Sequence, residues 1–160
     1  WQDVSEGNDA LDGAGALNIA ESIDISENRH SSKKKAKSKG WDIGTFTNSS
    51  FNSNGFAKKT YKVKVTKGKT HVKVALAWNS TATITETEPE EVYASTLGMD
   101  LDIRIYNSKG EQVAYSLSWD NSYEIVDFDG SAGATYTIKI HRWSAEDGAW
   151  SWYGIAWDTQ

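Results

Sequence analysis

From residue 41 to the end of the chain, apolar and polar residues alternate in short runs, and this alternation predicts β-strands. The clearest run covers residues 100–106, where Leu101, Ile103 and Ile105 fall on one face and polar side chains fall on the other. A strand of this kind packs one face against a core and turns the other toward water. We therefore expect a central strand whose polar face is solvated.

Seven more runs of the same kind accompany it, separated by turn-forming Gly, Asn, Asp and Ser residues. They cover residues 41–47, 60–66, 70–78, 111–119, 123–128, 135–142 and 151–157. In the run at 70–78, Ala75 and Ala77 alternate with larger apolar residues, which predicts that both faces of that strand are covered. About eight short strands at regular spacing are typical of an antiparallel β-sandwich with jelly-roll or Greek-key connections. The predicted fold class is therefore all-β.

A short helix is predicted before the strands begin. Residues 13–23 carry Leu17, Ala20 and Ile23 at helical spacing, and Asp12 is suited to cap the first turn. It is the only segment whose pattern favours a helix, and it spans about three turns at most.

Two other segments do not follow the strand pattern. Residues 27–40 are polar and basic, with a Lys-rich block at residues 33–39. Because like charges repel, the block is predicted to be a solvated linker, and a specific anion-binding patch is the alternative. Residues 79–98 form a long acidic and Thr-rich insertion around Pro89, and loops of this length are usually functional or mobile.

The composition excludes several functional classes. The chain has 160 residues, enough for one domain with a sizeable core, and its net charge of −5 argues against general nucleic-acid binding. No apolar run is long enough to span a membrane. There is no Cys, so disulfides, thiolate metal sites and a Cys nucleophile are excluded.

The residues show no pattern that indicates catalysis. A Gly-x-Ser-x-Gly nucleophile elbow is absent from the sequence. His30 lies in the basic segment, and His71 and His141 fall on predicted strands, where we expect them to face solvent. Their spacing gives no support to a zinc site made of three His.

Calcium is the better chemical candidate, because Asp residues two positions apart on one face of a strand repel each other and need compensation. Calcium prefers carboxylate, amide and carbonyl oxygens. Two clusters offer such oxygens: Asp100 and Asp102 on the central strand, and Asp120, Asn121 and Glu124 at the corner before a later strand. The alternative is that Asp100 or Asp102 pairs with Arg104 or a Lys, while Asn121 only shapes a turn.

Tryptophan offers a third kind of site. Trp143, Trp150 and Trp152 cluster near one end of the sequence, and aromatic platforms of this kind bind sugar rings. The alternative is that these residues pack into the core or against a sheet, as most Trp residues in a sandwich do.

Five segments resemble, in this order, the C-terminal β-sandwich that follows the protease domain in many subtilisin-like serine proteases. They are Val-Ala-Leu-Ala-Trp at 74–78, Asp-Leu-Asp-Ile-Arg-Ile-Tyr at 100–106, Ser-Trp-Asp-Asn at 118–121 with Glu124, Gly-Ala-Thr-Tyr-Thr-Ile-Lys-Ile at 133–140, and Tyr-Gly-Ile-Ala-Trp at 153–157. Family members usually read Asn-Asp-Leu-Asp-Leu where this chain reads Met-Asp-Leu-Asp-Ile at 99–103. Residues 12–22 also resemble the last helix of a subtilisin-type catalytic domain.

The resemblance implies three parts: the tail of an upstream catalytic domain at 1–25, a basic linker at 26–40 and a C-terminal sandwich at 41–160. The parent would be a secreted serine endopeptidase whose Asp/His/Ser triad lies upstream, so this chain would not be catalytic. Its partner would be the catalytic domain of the same polypeptide, which it would stabilise. The protein would be a monomer. The sandwich would bind calcium and help to dock the protein substrate. Neither nucleic acid nor a membrane is expected as a partner.

A second hypothesis belongs to a different class of protein. The chain would then be an extracellular module that binds carbohydrate or a protein surface. It would use Trp143, Trp150 and Trp152, or the acidic insertion from Glu86 to Glu91.

Overall fold

The computed structural model describes residues 19–30, 36–79, 81–87, 90–96, 98–118 and 121–160. These residues form one α-helix, one short 3₁₀ helix at Asn48–Ser50 and ten β-strands. The α-helix is α1 (Ile19–Ser26), and the strands are β1 (Gly40–Thr47), β2 (Phe56–Lys64), β3 (His71–Trp78), β4 (Thr81–Thr87), β5 (Glu90–Thr96), β6 (Met99–Tyr106), β7 (Gln112–Ser116), β8 (Tyr123–Asp129), β9 (Thr135–Ala145) and β10 (Trp150–Thr159).

Eight of these strands pair into two antiparallel sheets of four strands each. The front sheet has the order β1-β10-β3-β8, and the back sheet has the order β2-β9-β6-β7. Successive strands along the chain mostly alternate between the sheets, and the last strand of the chain pairs with the first. This is the connection of a jelly roll. The predicted all-β sandwich is confirmed.

The insertion is a separate element. Strands β4 and β5 pair with each other as a two-stranded antiparallel hairpin, in register from Thr81 opposite Thr96 to Thr87 opposite Glu90. The prediction of a long loop at 79–98 is therefore wrong. Thr and Ile favour strands because their branched side chains suit a pleated backbone, and this preference prevails over the many carboxylates that suggested a loop.

The core lies between the two sheets and is built from the alternating apolar positions. Leu101, Ile103 and Ile105 of β6 are fully buried, as the alternation predicted. Ile138 and Ile140 of β9 are equally buried beside them. The front sheet contributes the facing layer, with Val72, Val74, Leu76 and Trp78 of β3, Val126 of β8, and Tyr153, Ile155 and Trp157 of β10. Two interdigitated layers of this kind form a core about 10 Å thick.

The helix ends later than predicted, and the start of the predicted helix lies outside the described residues. The predicted helix covers residues 13–23, whereas α1 runs from Ile19 to Ser26, and residues 1–18 lie outside the described residues. Side-chain contacts terminate it: Ser26 Oγ donates to the Ile23 carbonyl oxygen at 2.7 Å, and Asn28 Nδ2 donates to the Asp24 carbonyl oxygen at 2.8 Å. No residue of α1 is buried.

Replacement of a core side chain tests this layering. Ile103→Ala removes apolar volume from the centre of β6, and we expect the free energy of unfolding to fall by about 2–5 kcal/mol. Val113→Ala is the control, because Val113 of β7 is 45% exposed and surface changes usually stay within about 0.5 kcal/mol. Urea denaturation measures both, and equal effects of the two changes would contradict the assigned core.

Candidate functional site

The acidic pair of the central strand is buried rather than solvated. Asp100 and Asp102 point away from the core on β6, yet they are only 8% and 4% exposed. The prediction that this face of the strand meets water is wrong. Since β6 lies inside its sheet between β9 and β7, neighbouring side chains cover it, and His141 of β9 stands directly opposite Asp102.

Asp102 pairs with basic side chains, which was the alternative to a bound calcium ion. Its Oδ2 accepts a hydrogen bond from Arg104 Nη2 at 3.2 Å and lies 3.0 Å from His141 Nδ1. The guanidinium of Arg104 also lies over the Phe56 ring, 5.7 Å from its centroid. The charge of Asp102 is therefore balanced within the protein.

Asp100 has no such partner. Its Oδ1 is buried and has no hydrogen-bond partner among the described residues. Burial and the nearby negative charge of Asp102 raise the pKa of Asp100, and His141 acts in the opposite direction. A buried carboxylate without compensation is costly, so this group favours either a proton or a cation.

The second predicted cluster has a structural task. Glu124 of β8 is 1% exposed, and its two carboxylate oxygens accept hydrogen bonds from the Ser116 hydroxyl and from the Ser118 backbone N–H, the latter at 2.6 Å. Burial raises the pKa of Glu124, and these hydrogen bonds offset only part of that effect. Asn121 donates to Ser118 Oγ at 2.8 Å.

The described residues include only part of the predicted calcium site. Asp120 lies outside the described residues. Within the described part of the chain, no group of three or more His, Asp or Glu side chains is placed to hold a metal ion. Asp100 is a predicted ligand with a buried carboxylate oxygen that has no hydrogen-bond partner among the described residues. Oxygens of Asp102 and Glu124, in contrast, already accept hydrogen bonds from protein donors.

A buried polar cluster that was not predicted from the sequence lies at the β1–β2 edge of the sandwich. Asp42 of β1 is 5% exposed, and its Oδ2 lies 2.5 Å from Lys59 Nζ and accepts a hydrogen bond from the Tyr61 hydroxyl at 3.2 Å. The hydroxyls of Tyr61 and Tyr153 are 2.8 Å apart. Burial raises the pKa of Tyr61, so it stays protonated and able to donate. The sequence does indicate that Asp42 is buried, because Asp42 shares a strand face with the apolar Phe46.

The three predicted Trp residues are exposed, so the alternative that they pack into the core does not hold. Trp143, Trp150 and Trp152 are 71%, 61% and 54% exposed. Trp150 and Trp152 lie together on β10 with ring centroids 6.4 Å apart and nearly perpendicular planes. Trp143 belongs to β9 in the other sheet, and its ring neighbours His141 at 6.5 Å. The trio therefore divides into two separate surfaces.

The outer side of the front sheet forms an apolar groove of about 450 Å³. Small residues of β3 and β10 form its floor, and larger side chains of β1 and β8 form its two walls. The floor consists of Ala75, Ala77, Gly154 and Ala156, and the walls consist of Trp41, Ile43, Tyr123 and Ile125. Ala75 and Ala77 are exposed, so no described part of this chain provides the predicted cover for the second face of β3.

The helix α1 is tied to the β1–β10 side of the same sheet. Lys39 Nζ lies 2.9 Å from Asp24 and 3.5 Å from Glu21 on the helix, and 3.8 Å from the buried Asp158 of β10. The indole N–H of Trp41 donates to the Ser26 carbonyl oxygen at 2.7 Å. These contacts give one Lys of the predicted solvated linker a structural role.

The three His residues all lie against structural partners. His30 packs edge-on against Tyr61 and Trp157, with centroids 5.0 and 5.9 Å away, and burial lowers its pKa. His141 neighbours Asp102, as described above. His71 Nδ1 lies 3.1 Å from Asp129 and its Nε2 lies 2.5 Å from Asp127 on the adjacent strand.

Comparisons with known proteins leave the family open. No protein-family model matches the chain, and no curated protein sequence matches it significantly. Among solved structures the chain is similar to PliG of Aeromonas hydrophila, a periplasmic inhibitor of g-type lysozyme. That match has 12% sequence identity and a TM-score of 0.39, and it covers 76% of this chain and 86% of PliG. Within the described residues, no helix is both long and apolar enough to cross a membrane.

The contacts of His71 predict how stability depends on pH. The hydrogen bond to Asp129, together with Asp127, raises the pKa of His71, so the folded protein holds this proton more tightly than the unfolded chain does. The resulting stabilisation is complete below the ordinary His pKa of about 6.5 and disappears as the pH rises through the higher folded value. Because the pair is partly solvated, the loss is at most about 1 kcal/mol.

Denaturation at several pH values between about 5 and 9 spans the His transition and measures this effect, and His71→Gln removes it. An NMR titration gives the pKa directly. A His71 pKa at or below the ordinary value, or an unchanged profile in the variant, would contradict the ion-paired arrangement.

Proposed function

We propose that this chain is the non-catalytic C-terminal sandwich of a secreted subtilisin-like serine endopeptidase, which packs against the catalytic domain of the same polypeptide and stabilises it. The observation that carries this proposal is the exposure of apolar side chains in the front-sheet groove, and apolar side chains are exposed on α1 as well. The five segments that resemble the family add to it, and they supply the identity of the partner.

Exposed apolar side chains occur in groups on both the front sheet and α1. On the sheet, Ile43 and Ile125 are 49% and 36% exposed on opposite sides of a floor of Ala and Gly. On the helix, Ile19 and Ile23 are 65% and 56% exposed. Residues four positions apart lie on the same side of a helix. An exposed apolar patch such as the groove marks a site of protein association.

The attachment of α1 favours a partner that precedes the sandwich in the same polypeptide. Ion pairs from Lys39 hold the helix against β1 and β10 while its Ile side remains uncovered. In the proposed parent, residues 12–22 would belong to the last helix of the catalytic domain. The catalytic domain would then lead directly into α1 and lie beside the front sheet, and its apolar side chains would fill the groove.

Calcium belongs to the same proposal, with Asp100 as its central ligand. The buried and unpartnered Oδ1 of Asp100 fits a cation that prefers oxygen. Asp120 and Asn121, at the corner before β8, would complete the site, while Glu124 and Asp102 would act mainly through their charge. A bound calcium ion would neutralise Asp100 and so add to the stability of the sandwich.

Charge placed in the groove tests the docking proposal. In the full-length protease, Ile125→Lys should lower the temperature at which peptidase activity is lost by several degrees, because a buried unpaired charge weakens an interface. Val113→Lys is the matched control, since Val113 is similarly exposed but lies on the back sheet. The 160-residue chain alone should melt at the same temperature with either change.

Equal inactivation temperatures for both variants would refute this docking face. Peptidase activity in the 160-residue chain alone, abolished by a serine-directed inhibitor, would refute the non-catalytic role itself.

Thermal unfolding in excess Ca²⁺ and in chelator tests the metal. A hundredfold excess over the dissociation constant stabilises the native state by about 2.7 kcal/mol, which corresponds to about 5–10 °C for a chain of this size. Asp100→Asn should abolish that shift. In chelator the same variant should be more stable than the parent chain at neutral pH, because it removes a buried charge whose pKa is raised.

Asp147→Asn serves as the control, since Asp147 is an exposed carboxylate in the turn after β9, and it should keep the full calcium shift. Equal Tm values in calcium and in chelator would exclude a structural calcium ion.

A further inference from the structure

We infer that the cleft around Trp143 binds a neutral oligosaccharide. The cleft lies on a different part of the surface from the front-sheet groove, so this inference goes beyond the proposed function and does not depend on it. It is formed by the loop that follows β1, the C-terminal end of β9 and the turn after β9. Its volume of about 680 Å³ lies within the range of about 300–1,000 Å³ found for small-molecule sites.

An irregularity in the back sheet places Trp143 in this cleft. Along β9, Arg142 pairs with Leu101 and Ser144 pairs with Asp100, so Trp143 is the extra residue of a β-bulge. Bulges redirect side chains and are frequent beside functional sites. The result is an indole that is 71% exposed although its strand is an interior member of its sheet.

The wall facing Trp143 is held in place by its own contacts. The Arg142 N–H donates to the Gly55 carbonyl oxygen at 2.8 Å, and Gly55 has a φ of +79° that favours glycine. The Arg142 guanidinium lies 4.7 Å from the Phe51 ring centroid and donates to Asn48 Oδ1 at 2.5 Å. Asn52 Oδ1 accepts from two backbone N–H groups of the same loop at 3.0 Å. The cleft is therefore largely formed before a ligand arrives.

Several polar side chains that line the cleft are able to hydrogen-bond to a ligand. Five side chains around the cleft form no hydrogen bond or ion pair within the described residues: Ser53, Asn54, Ser144, Glu146 and Asp147. Each can accept a hydrogen bond, and the hydroxyls and the amide can also donate one. A ligand that carries several hydroxyl groups close together can hydrogen-bond to them.

The combination of these groups with Trp143 specifies the ligand class. A pyranose ring offers an apolar face of C–H groups that stacks on an indole, while its hydroxyls point outward toward polar side chains. The lining carries two carboxylates, Glu146 and Asp147, against one guanidinium, Arg142, so its net charge is negative and disfavours an anionic ligand. We therefore assign a neutral sugar rather than an acidic polysaccharide.

Native affinity electrophoresis of the full 160-residue chain tests this assignment. The gels contain one soluble polysaccharide each: hydroxyethyl cellulose, xylan, galactomannan, a β-1,3-glucan or soluble starch, with heparin as the anionic comparison. We expect at least one neutral polysaccharide to retard the chain. Trp143→Ala should weaken that binding at least tenfold, and Trp143→Tyr should restore part of it.

Trp150→Ala is the matched control, because Trp150 is 61% exposed and lies outside the cleft, and it should change the affinity less than twofold. Since both side chains are largely exposed, both variants should keep the parent Tm. The assignment is overturned if no neutral polysaccharide retards the chain, if only heparin does, or if the two Ala variants lose affinity equally. None of these results would affect the front-sheet docking face.

Discussion

The alignment of the two sheets depends on buried carboxylates at the two lateral edges of the sandwich. At one edge Asp42 of the front sheet contacts Lys59 and Tyr61 of the back sheet. At the other edge Glu124 of the front sheet accepts a hydrogen bond from Ser116 of the back sheet. An apolar core attracts without direction, whereas these contacts are directional and fix how one sheet sits over the other. Removal of one partner would leave a buried charge uncompensated, which is strongly destabilising.

The two outer faces of the sandwich differ in chemistry. The front face combines Ala and Gly on its floor with large apolar walls. The back face is crossed by Arg104, His141 and Lys139, which lie among aromatic rings and the buried Asp102. The apolar face is the one that we propose to contact the catalytic domain. The polar face can remain in water, and the Trp143 cleft opens at its end.

The sequence was sufficient for the eight sandwich strands and for the core, because period-two alternation reports directly which side chains share a buried face. It was insufficient where burial depends on neighbours across the sheet. Asp42 and Glu124 interrupt apolar faces, and only the opposite sheet reveals their donors. The hairpin at Thr81–Thr96 was hidden because Glu residues, which disfavour strands, alternate there with β-branched residues that favour them. The proximity of Trp143, Trp150 and Trp152 in the sequence likewise concealed that they belong to different sheets.

Asp100 and Asp102 show most clearly why the site could not be derived from the chain alone. They are the same residue type on the same face of one strand, yet only Asp102 is neutralised. In the observed register His141 stands opposite Asp102, while the bulge in β9 places Ser144, which carries no charge, opposite Asp100. The same bulge turns Trp143 out of the sheet. One extra residue in a neighbouring strand therefore accounts for both the unbalanced carboxylate, which is the proposed cation ligand, and the exposed ring, which is the proposed sugar platform. Restoration of a regular β9 would remove both features together.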